Sequence, residues 1–318
     1  MSELMIPRVG YGAANVGNLY RALTADEAWQ VLDAAWNVGI RYFDTAPHYG
    51  LGLSERRLGR FLATKPRDEY VVSTKVGRLL RPDPSWTGAF DLDNDFAVLA
   101  DHARVWDFSA EGIRRSIEES LERTGLDRFD ILYLHDPERH DLDSGLHSAL
   151  PALAAAREEG IVSAIGVGSM DTDSLLASVE TGMLDLLMIA GRYTLAEQPA
   201  LDAVVPACRA HGVGIVNASI FNSGMLATDT PRANARYDYG EAPADLFVKV
   251  QRIAAVCREF SVSLPSAALQ YTLRDETVRS VVVGGSRPEQ LRQNAERFAE
   301  VIPEQLWTVL AERKLIPA

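Results

Sequence analysis

Residues 42–62 read YFDTAPHYGLGLSERRLGRFL. The first few have the aromatic and apolar character of a strand, yet the strand ends on a carboxylate, Asp44. Five positions later a tyrosine, Tyr49, stands in a loop that holds Gly50 and Gly52. An acid closing an apolar strand, with a phenol just beyond it, calls for a chemical reason. It also calls for a fold that brings strand ends together.

Working outward, strand-like runs alternate with helical ones along the chain. The strands are RVGYGA (8–13), YFDTA (42–46), YVVSTKVG (70–77), FDILYLHD (129–136), SAIGVGS (163–169), LLMIAG (186–191), GIVNAS (214–219) and SVVVGG (280–285). Amphipathic helical stretches lie between them, such as TADEAWQVLDAAWNVG (24–39), SAEGIRRSIEESLERTG (109–125) and PEQLRQNAERFAEVI (288–302). Thr24 and Glu27 have the spacing of a capping box, and Gly39, Gly125 and Gly160 stand where helices stop. Eight β-then-α units without a break in composition predict a single α/β domain over residues 1–318, a (β/α)8 TIM barrel. A doubly wound dinucleotide fold would carry G-x-G-x-x-G in its first turn. GYGAANVG after the first strand misses that spacing.

Two connections are long. Residues 79–107 contain Trp86, Phe90 and Trp106, and residues 221–244 follow the seventh strand. Long loops of this kind are lids or binding loops, and the aromatics mark Trp86 and Trp106 as a substrate wall.

In a barrel the chemistry sits at the carboxyl ends of the strands. Asp44 ends the second strand, with His48 and Tyr49 in the following loop; Lys75 ends the third and His135 the fourth. A free tyrosine titrates at about 10 and is a poor proton acceptor near neutrality. An adjacent ammonium favours its phenolate, a carboxylate keeps the ammonium charged, and a histidine can hydrogen-bond the substrate oxygen. Asp44, Tyr49, Lys75 and His135 therefore read as a proton relay acting on a carbonyl or carbinol. His48 is expected beside them at the substrate.

Hydrophobic residues make up 47% of the chain and charged ones 24%, as in ordinary globular proteins. The net charge of −12, with no run of Lys or Arg, argues against nucleic acid as a partner. The only cysteines, Cys208 and Cys257, fall in helical contexts, which suits a reducing cytoplasm. MSELMIPRVGYG lacks a signal-peptide pattern, and no apolar run is long enough to span a membrane. No histidine spacing suits a metal, so a dissociable organic cofactor is expected to carry the hydride. VVVGGSRPEQLRQN (281–294) offers it an anion site. Gly284 and Gly285 permit close approach, Pro288 opens a helix, Arg287 adds charge, and Gln293 and Asn294 lie a turn or so further on.

These motifs resemble those of the aldo-keto reductases over nearly the whole chain. FDTAPHYGLGLSERRLG (43–59) resembles the family signature, and Asp44, Tyr49, Lys75 and His135 match its catalytic tetrad in order and context. GGSRPEQLRQN (284–294) resembles its nicotinamide dinucleotide motif, and SIFNSGML (219–226) lies where a family segment embraces the pyrophosphate. The resemblance implies NAD or NADP bound in an extended pose. The implied contacts are Ser169, Ser219, Phe221, Ser223, Gly284, Gly285, Ser286, Arg287, Gln290, Gln293 and Asn294.

STKVGRLLRP, LYLHDPE and GRYTLAEQ further resemble the branch that oxidises aldoses such as L-fucose or L-galactose at C1 to the lactone, with pyridoxal dehydrogenases close by. The expected substrate is thus a small sugar or another carbonyl or carbinol compound. Gln290, where some NADP-specific relatives carry arginine, favours NAD, whereas Arg287 could hold a 2′-phosphate. Ala218 stands where many relatives place an aromatic on the nicotinamide, and GVGSMD (166–171) replaces a Ser-Asn pair. A general carbonyl reductase, a non-catalytic dinucleotide sensor and a Schiff-base aldolase at Lys75 are the competing readings.

Overall fold

Strand alternation sorts the side chains into two sets. In the computed structural model, which describes residues 4–231, 236–237 and 240–317, the barrel strands are β1 (Val9–Gly12), β2 (Tyr42–Asp44), β3 (Val71–Val76), β4 (Ile131–His135), β5 (Ala164–Ser169), β6 (Leu186–Ala190), β7 (Gly214–Ala218) and β8 (Val278–Val283). Each pairs in parallel with its neighbours in chain order, and β1 closes the ring on β8. The expected (β/α)8 barrel is therefore the fold.

One parity of each strand faces outward. Phe43, Val72, Leu132, Leu134, Ile165, Leu187, Ile215 and Val281 pack there, in one cluster with apolar residues of the surrounding helices. The other parity fills the barrel, where Tyr42, Ile131, Tyr133, Ala164, Leu186, Met188, Val216 and Val282 form a second cluster, with Leu4 and Ile6 packed on it. Parallel strands buried on both faces need this continuous apolar character. Because the tetrad candidates Asp44, Lys75 and His135 share parity with Tyr42, Ser73 and Tyr133, they too point inward, at the end where the βα loops emerge.

The helices that cover the sheet include α1 (Ala25–Asn37), α2 (Leu53–Leu62) and α3 (Ala110–Thr124). The Thr24–Glu27 capping box forms in both directions: Glu27 N–H reaches Thr24 Oγ1 at 3.1 Å, and Thr24 N–H reaches Glu27 Oε2 at 2.7 Å. Gly125 ends α3 with φ +67°. Cys208 and Cys257 are free, buried and helical.

The first long connection is not an unstructured loop. Arg78–Pro82 and His102–Trp106 pair as an antiparallel hairpin directly after β3. Its far part turns back across the barrel mouth and joins the β1–α1 loop through a Leu19–Phe96 bridge, Tyr20 N–H to Asp95 O at 2.8 Å and Ala97 N–H to Asn18 O at 3.0 Å. Of the second connection, residues 232–235 and 238–239 lie outside the described residues. No described helix is long and apolar enough to cross a membrane.

Candidate active site

The loop after β2 is fixed by backbone packing. A Cβ at Gly50 would lie 2.1 Å from Gly17 O, and one at Gly17 would lie 2.8 Å from Tyr49 O. Only glycine at both positions lets the β1–α1 and β2–α2 loops touch main chain to main chain. Ser54 locks the contact by donating to Ala13 O at 2.8 Å, and its own N–H bonds Tyr49 O at 3.2 Å. Tyr49 is held at the base of that contact.

Asp44 and Lys75 form an ion pair of 2.6 Å, each about 2% exposed. Burying two charges costs several kcal/mol per ion, on the order of a domain's net stability, unless every lone pair and proton is satisfied. Here they are. The ammonium's three protons go to Asp44 Oδ2, to Thr45 O at 3.1 Å and to Tyr49. The second carboxylate oxygen accepts the Ser73 hydroxyl at 2.7 Å. Burial works to lower the lysine's pKa, but the Asp44 carboxylate and then Tyr49 outweigh it and hold the group above its ordinary value. Lys75 Nζ lies 4.7 Å from the Tyr49 ring centre, so a permanent cation stabilises negative charge on the phenol.

His135 sets its ring edge-on to Tyr49 at 6.0 Å and to His48 at 5.7 Å. Both histidines are held neutral. Burial comes first, followed by nearby Arg78, which pushes His48 down to about 2 and His135 well below the usual range. A neutral imidazole can present one N–H to a substrate oxygen without carrying charge.

Several groups of this site were not singled out in the sequence. Arg78 is buried on Asp136 at 2.5 Å and lies 4.3 Å over the Trp106 ring. Arg104, on the returning hairpin arm, pairs with Asp91 at 2.5 Å and donates to His48 O at 2.9 Å. Asp136 adopts φ +44°, an uncommon conformation that cues a functional constraint. Of the hairpin aromatics, Trp106 reaches the site by stacking on Arg78 and His140. The ring set against Tyr49 and His48 belongs to Phe96, at 6.2 and 5.5 Å. The Trp86 indole N–H bonds Ala89 O at 2.8 Å within the insertion, and Trp86 and Phe90 are exposed. Alternation in HARVW (102–106) was the available signal for the hairpin.

The neighbouring ends of β7 and β8 carry the expected dinucleotide residues. Ser219, Asn222 and Ser223 all have positive φ, between +43° and +55°. Three such residues within five positions hold strain that a surrounding structure must support. Phe221 packs its ring on the core, whereas Ser219 and Ser223 are exposed. Opposite them, Gly284 is exposed at the mouth, and a Cβ there would lie 2.7 Å from Asn15 Oδ1. Gly285 is buried, and its carbonyl accepts the Tyr11 hydroxyl at 2.8 Å. Ser286 and the exposed Arg287 lead into the helix Pro288–Ala299, with Gln290 Oε1 accepting their N–H groups at 2.8 and 3.1 Å. Gln293 is exposed. Asn294, one residue on, is buried and bonded to Arg297 at 3.1 Å. Ser169 is buried and gives its hydroxyl to Glu138 at 2.8 Å. Exposed hydroxyls, a glycine gap, a helix N-terminus and the Arg287 guanidinium suit a phosphate-bearing dinucleotide. Among the described residues, no cluster could hold a metal ion.

The comparisons with known proteins agree with this geometry. The model of the aldo/keto reductase family matches residues 8–312. The chain is 62% identical to a D-threo-aldose 1-dehydrogenase of a Pseudomonas species over 99% of its length and 96% of the relative's. It is 35% identical to the pyridoxal 4-dehydrogenase of Microbacterium luteolum, covering 98% and 95% of the two chains. Among solved structures, an aldo-keto reductase from Bacillus halodurans in its holo form superposes with a TM-score of 0.76 at 22% identity, covering 100% and 95%. The chain belongs to the aldo/keto reductase family and is an NAD(P)-using oxidoreductase.

Proposed function

We propose that this chain, read as one barrel domain over residues 1–318 working in the cytoplasm, oxidises an aldose at C1 to the lactone with Tyr49 as general base. One observation carries the reaction: the buried Lys75 ammonium, held on Asp44, lies against Tyr49 at the barrel mouth. The 62% identity to an aldose enzyme along nearly the full chain directs the substrate class.

The C1 hydroxyl proton passes to the Tyr49 oxygen, whose negative charge Lys75 stabilises. The neutral His135 donates to a sugar oxygen and orients C1, and His48, Phe96 and Trp106 bound the remaining space. When bound, the nicotinamide ring accepts the hydride that leaves C1. Gly284, Gly285, Ser286, Arg287, Ser219 and Ser223 would hold the phosphates, with Phe221, Gln290 and the exposed Gln293 along the adenosine side and the buried Asn294 behind them, bonded to Arg297. Ser169 would support the carboxamide end through its contact with Glu138. The proposed preference is NAD, because Gln290 presents no cation and is spent on capping its helix.

Incubation with NAD+ or NADP+ and a panel of L-fucose, L- and D-galactose, D-arabinose and pyridoxal, followed by absorbance of the reduced nicotinamide, tests this. Strong turnover of one aldose is the expected result. Turnover of pyridoxal alone would transfer the chain to the second reading, which the 35% relative favours. Silence throughout with tight dinucleotide binding would overturn the proposal and favour a reductase of other carbonyls or a sensor.

A further inference from the structure

Beneath the mouth, one layer down, each strand-end residue of the tetrad stands over a hydroxyl. Tyr42 precedes Asp44 by two positions, Ser73 precedes Lys75 by two, and Tyr133 precedes His135 by two. Alternation therefore sends all three inward, and all three are completely buried.

Their oxygens form a chain. Tyr133 and Tyr42 hydroxyls lie 3.4 Å apart, Tyr42 and Ser73 3.1 Å, and Ser73 donates to Asp44 Oδ1 at 2.7 Å. A carboxylate paired with an ammonium can only accept, and each hydroxyl has a single proton to give. Ser73 therefore donates to Asp44, Tyr42 to Ser73, and Tyr133 to Tyr42, so three O–H dipoles point the same way, at the carboxylate. Burial raises the pKa of both tyrosines, which keeps them protonated donors. Hydrogen bonds polarised in series in a low-dielectric interior strengthen one another.

These hydroxyls are not needed to fill space. Around them the barrel interior is apolar, with Ile131, Leu186, Met188, Val216 and Val282, and phenylalanine would occupy nearly the same volume as either tyrosine. Glycines make room for the rings: a Cβ on Gly10 would lie 2.6 Å from Tyr42 Cδ1, and one on Gly166 would lie 2.8 Å from Tyr133 Cδ1. A buried hydroxyl without a partner carries a desolvation penalty, which this chain avoids by ending on a charge.

We propose that Tyr42, Ser73 and Tyr133 are positioning residues for catalysis, a one-way hydroxyl chain that holds the Asp44 carboxylate so that Lys75 stays aimed at Tyr49. This inference rests on the catalytic reading of the tetrad. None of the three is expected to touch the substrate.

The test compares Ser73→Ala, Tyr42→Phe, Tyr133→Phe and Tyr49→Phe with the wild type. Ser280→Ala is the control, because Ser280 is equally buried but its hydroxyl has no hydrogen-bond partner among the described residues. With the aldose of the panel above that the wild type turns over fastest, kcat should fall by roughly 10- to 100-fold in Ser73→Ala, less in Tyr42→Phe and least in Tyr133→Phe. Sugar KM and dinucleotide affinity should stay within about threefold. The acid limb of the kcat–pH profile should move to higher pH in the same order, since a Lys75 ammonium less well aimed at Tyr49 favours its phenolate less. Ser280→Ala should behave as wild type.

A wild-type kcat and profile in Tyr42→Phe, which keeps its ring and so its packing, would overturn the inference even if Ser73→Ala did not fold. An equal loss in all variants including Ser280→Ala would reduce the effect to general destabilisation and overturn it as well. Activity retained in Tyr49→Phe would instead sink the parent reading. An inactive Tyr49→Phe beside wild-type hydroxyl variants would sink only this one.

Discussion

Lys75 Nζ sits 2.6 Å from Asp44 Oδ2 with both residues buried, so neither charge can lose the other without leaving a bare ion in the barrel. Lys75→Met should destabilise the protein by about 3–5 kcal/mol, the cost of stranding a buried charge, and abolish turnover. Adding Asp44→Asn should restore most of that stability while activity stays absent, because the neutral pair no longer acts on Tyr49. Urea unfolding and kcat on the two variants decide this. A double variant as unstable as the single one would contradict the pairing argument.

Gly17 and Gly50 meet main chain to main chain beside Tyr49. Gly17→Ala brings a methyl to within 2.8 Å of the Tyr49 carbonyl oxygen, and the loop must yield. A displacement on the order of 1 Å at a reacting group costs roughly 100-fold in rate, so kcat should collapse although no catalytic group is altered. Steady-state kinetics with unchanged kcat would show that the loop position does not matter.

Arg287 is exposed at the head of the helix Pro288–Ala299, where no other arginine of that motif precedes the first turn. Arg287→Ala should weaken NADP by roughly tenfold, or about 1.4 kcal/mol, as expected for one exposed charge-assisted contact. NAD affinity should change much less. Tryptophan fluorescence titration with each dinucleotide measures the difference, and equal losses would remove Arg287 from 2′-phosphate recognition.

His48 and His135 are both neutral in the folded protein, with pKa values pushed below the ordinary histidine value of about 6.5. The unfolded chain takes up protons below that pH and the folded one does not, so their contribution to stability is complete above about 6.5 and is lost as the pH falls. The loss is about 1.4 kcal/mol per pH unit for each histidine. The urea midpoint should therefore drop between pH 7 and 5, and His48→Gln should flatten the drop. A midpoint constant over that range would mean that the rings are charged or exposed.

Much of the site could be read from single strands. Asp44 and His135 close their strands, Lys75 stands one residue before the end of β3 rather than at its end, and the parity of a strand decides which face each joins. Three such residues on successive parallel strands must converge. Tyr49 followed from the glycines around it. The dinucleotide loops were marked by GGSRP and by SIFNSGML, although the strain at Ser219, Asn222 and Ser223 became visible only as backbone angles.

What lay beyond local reading depended on contacts between distant segments. Residues 79–107 were expected to be a loop with Trp86 at the substrate. They fold into a hairpin whose register, Leu79 against Val105 and Leu80 against Arg104, brings Phe96 against Tyr49, while the Trp86 indole bonds Ala89 O within the insertion. Gln293 and Asn294, adjacent in sequence, face different ways because successive helical residues are about 100° apart. The order of strands, their inward parity and the chemistry at their ends are local properties, written in periodicity. Which aromatic closes the pocket, which arginine meets Asp136, and how the hydroxyls of Tyr42, Ser73 and Tyr133 line up behind Asp44 all depend on how segments far apart in sequence pair side by side, because the register between neighbouring strands and across the hairpin sets those distances.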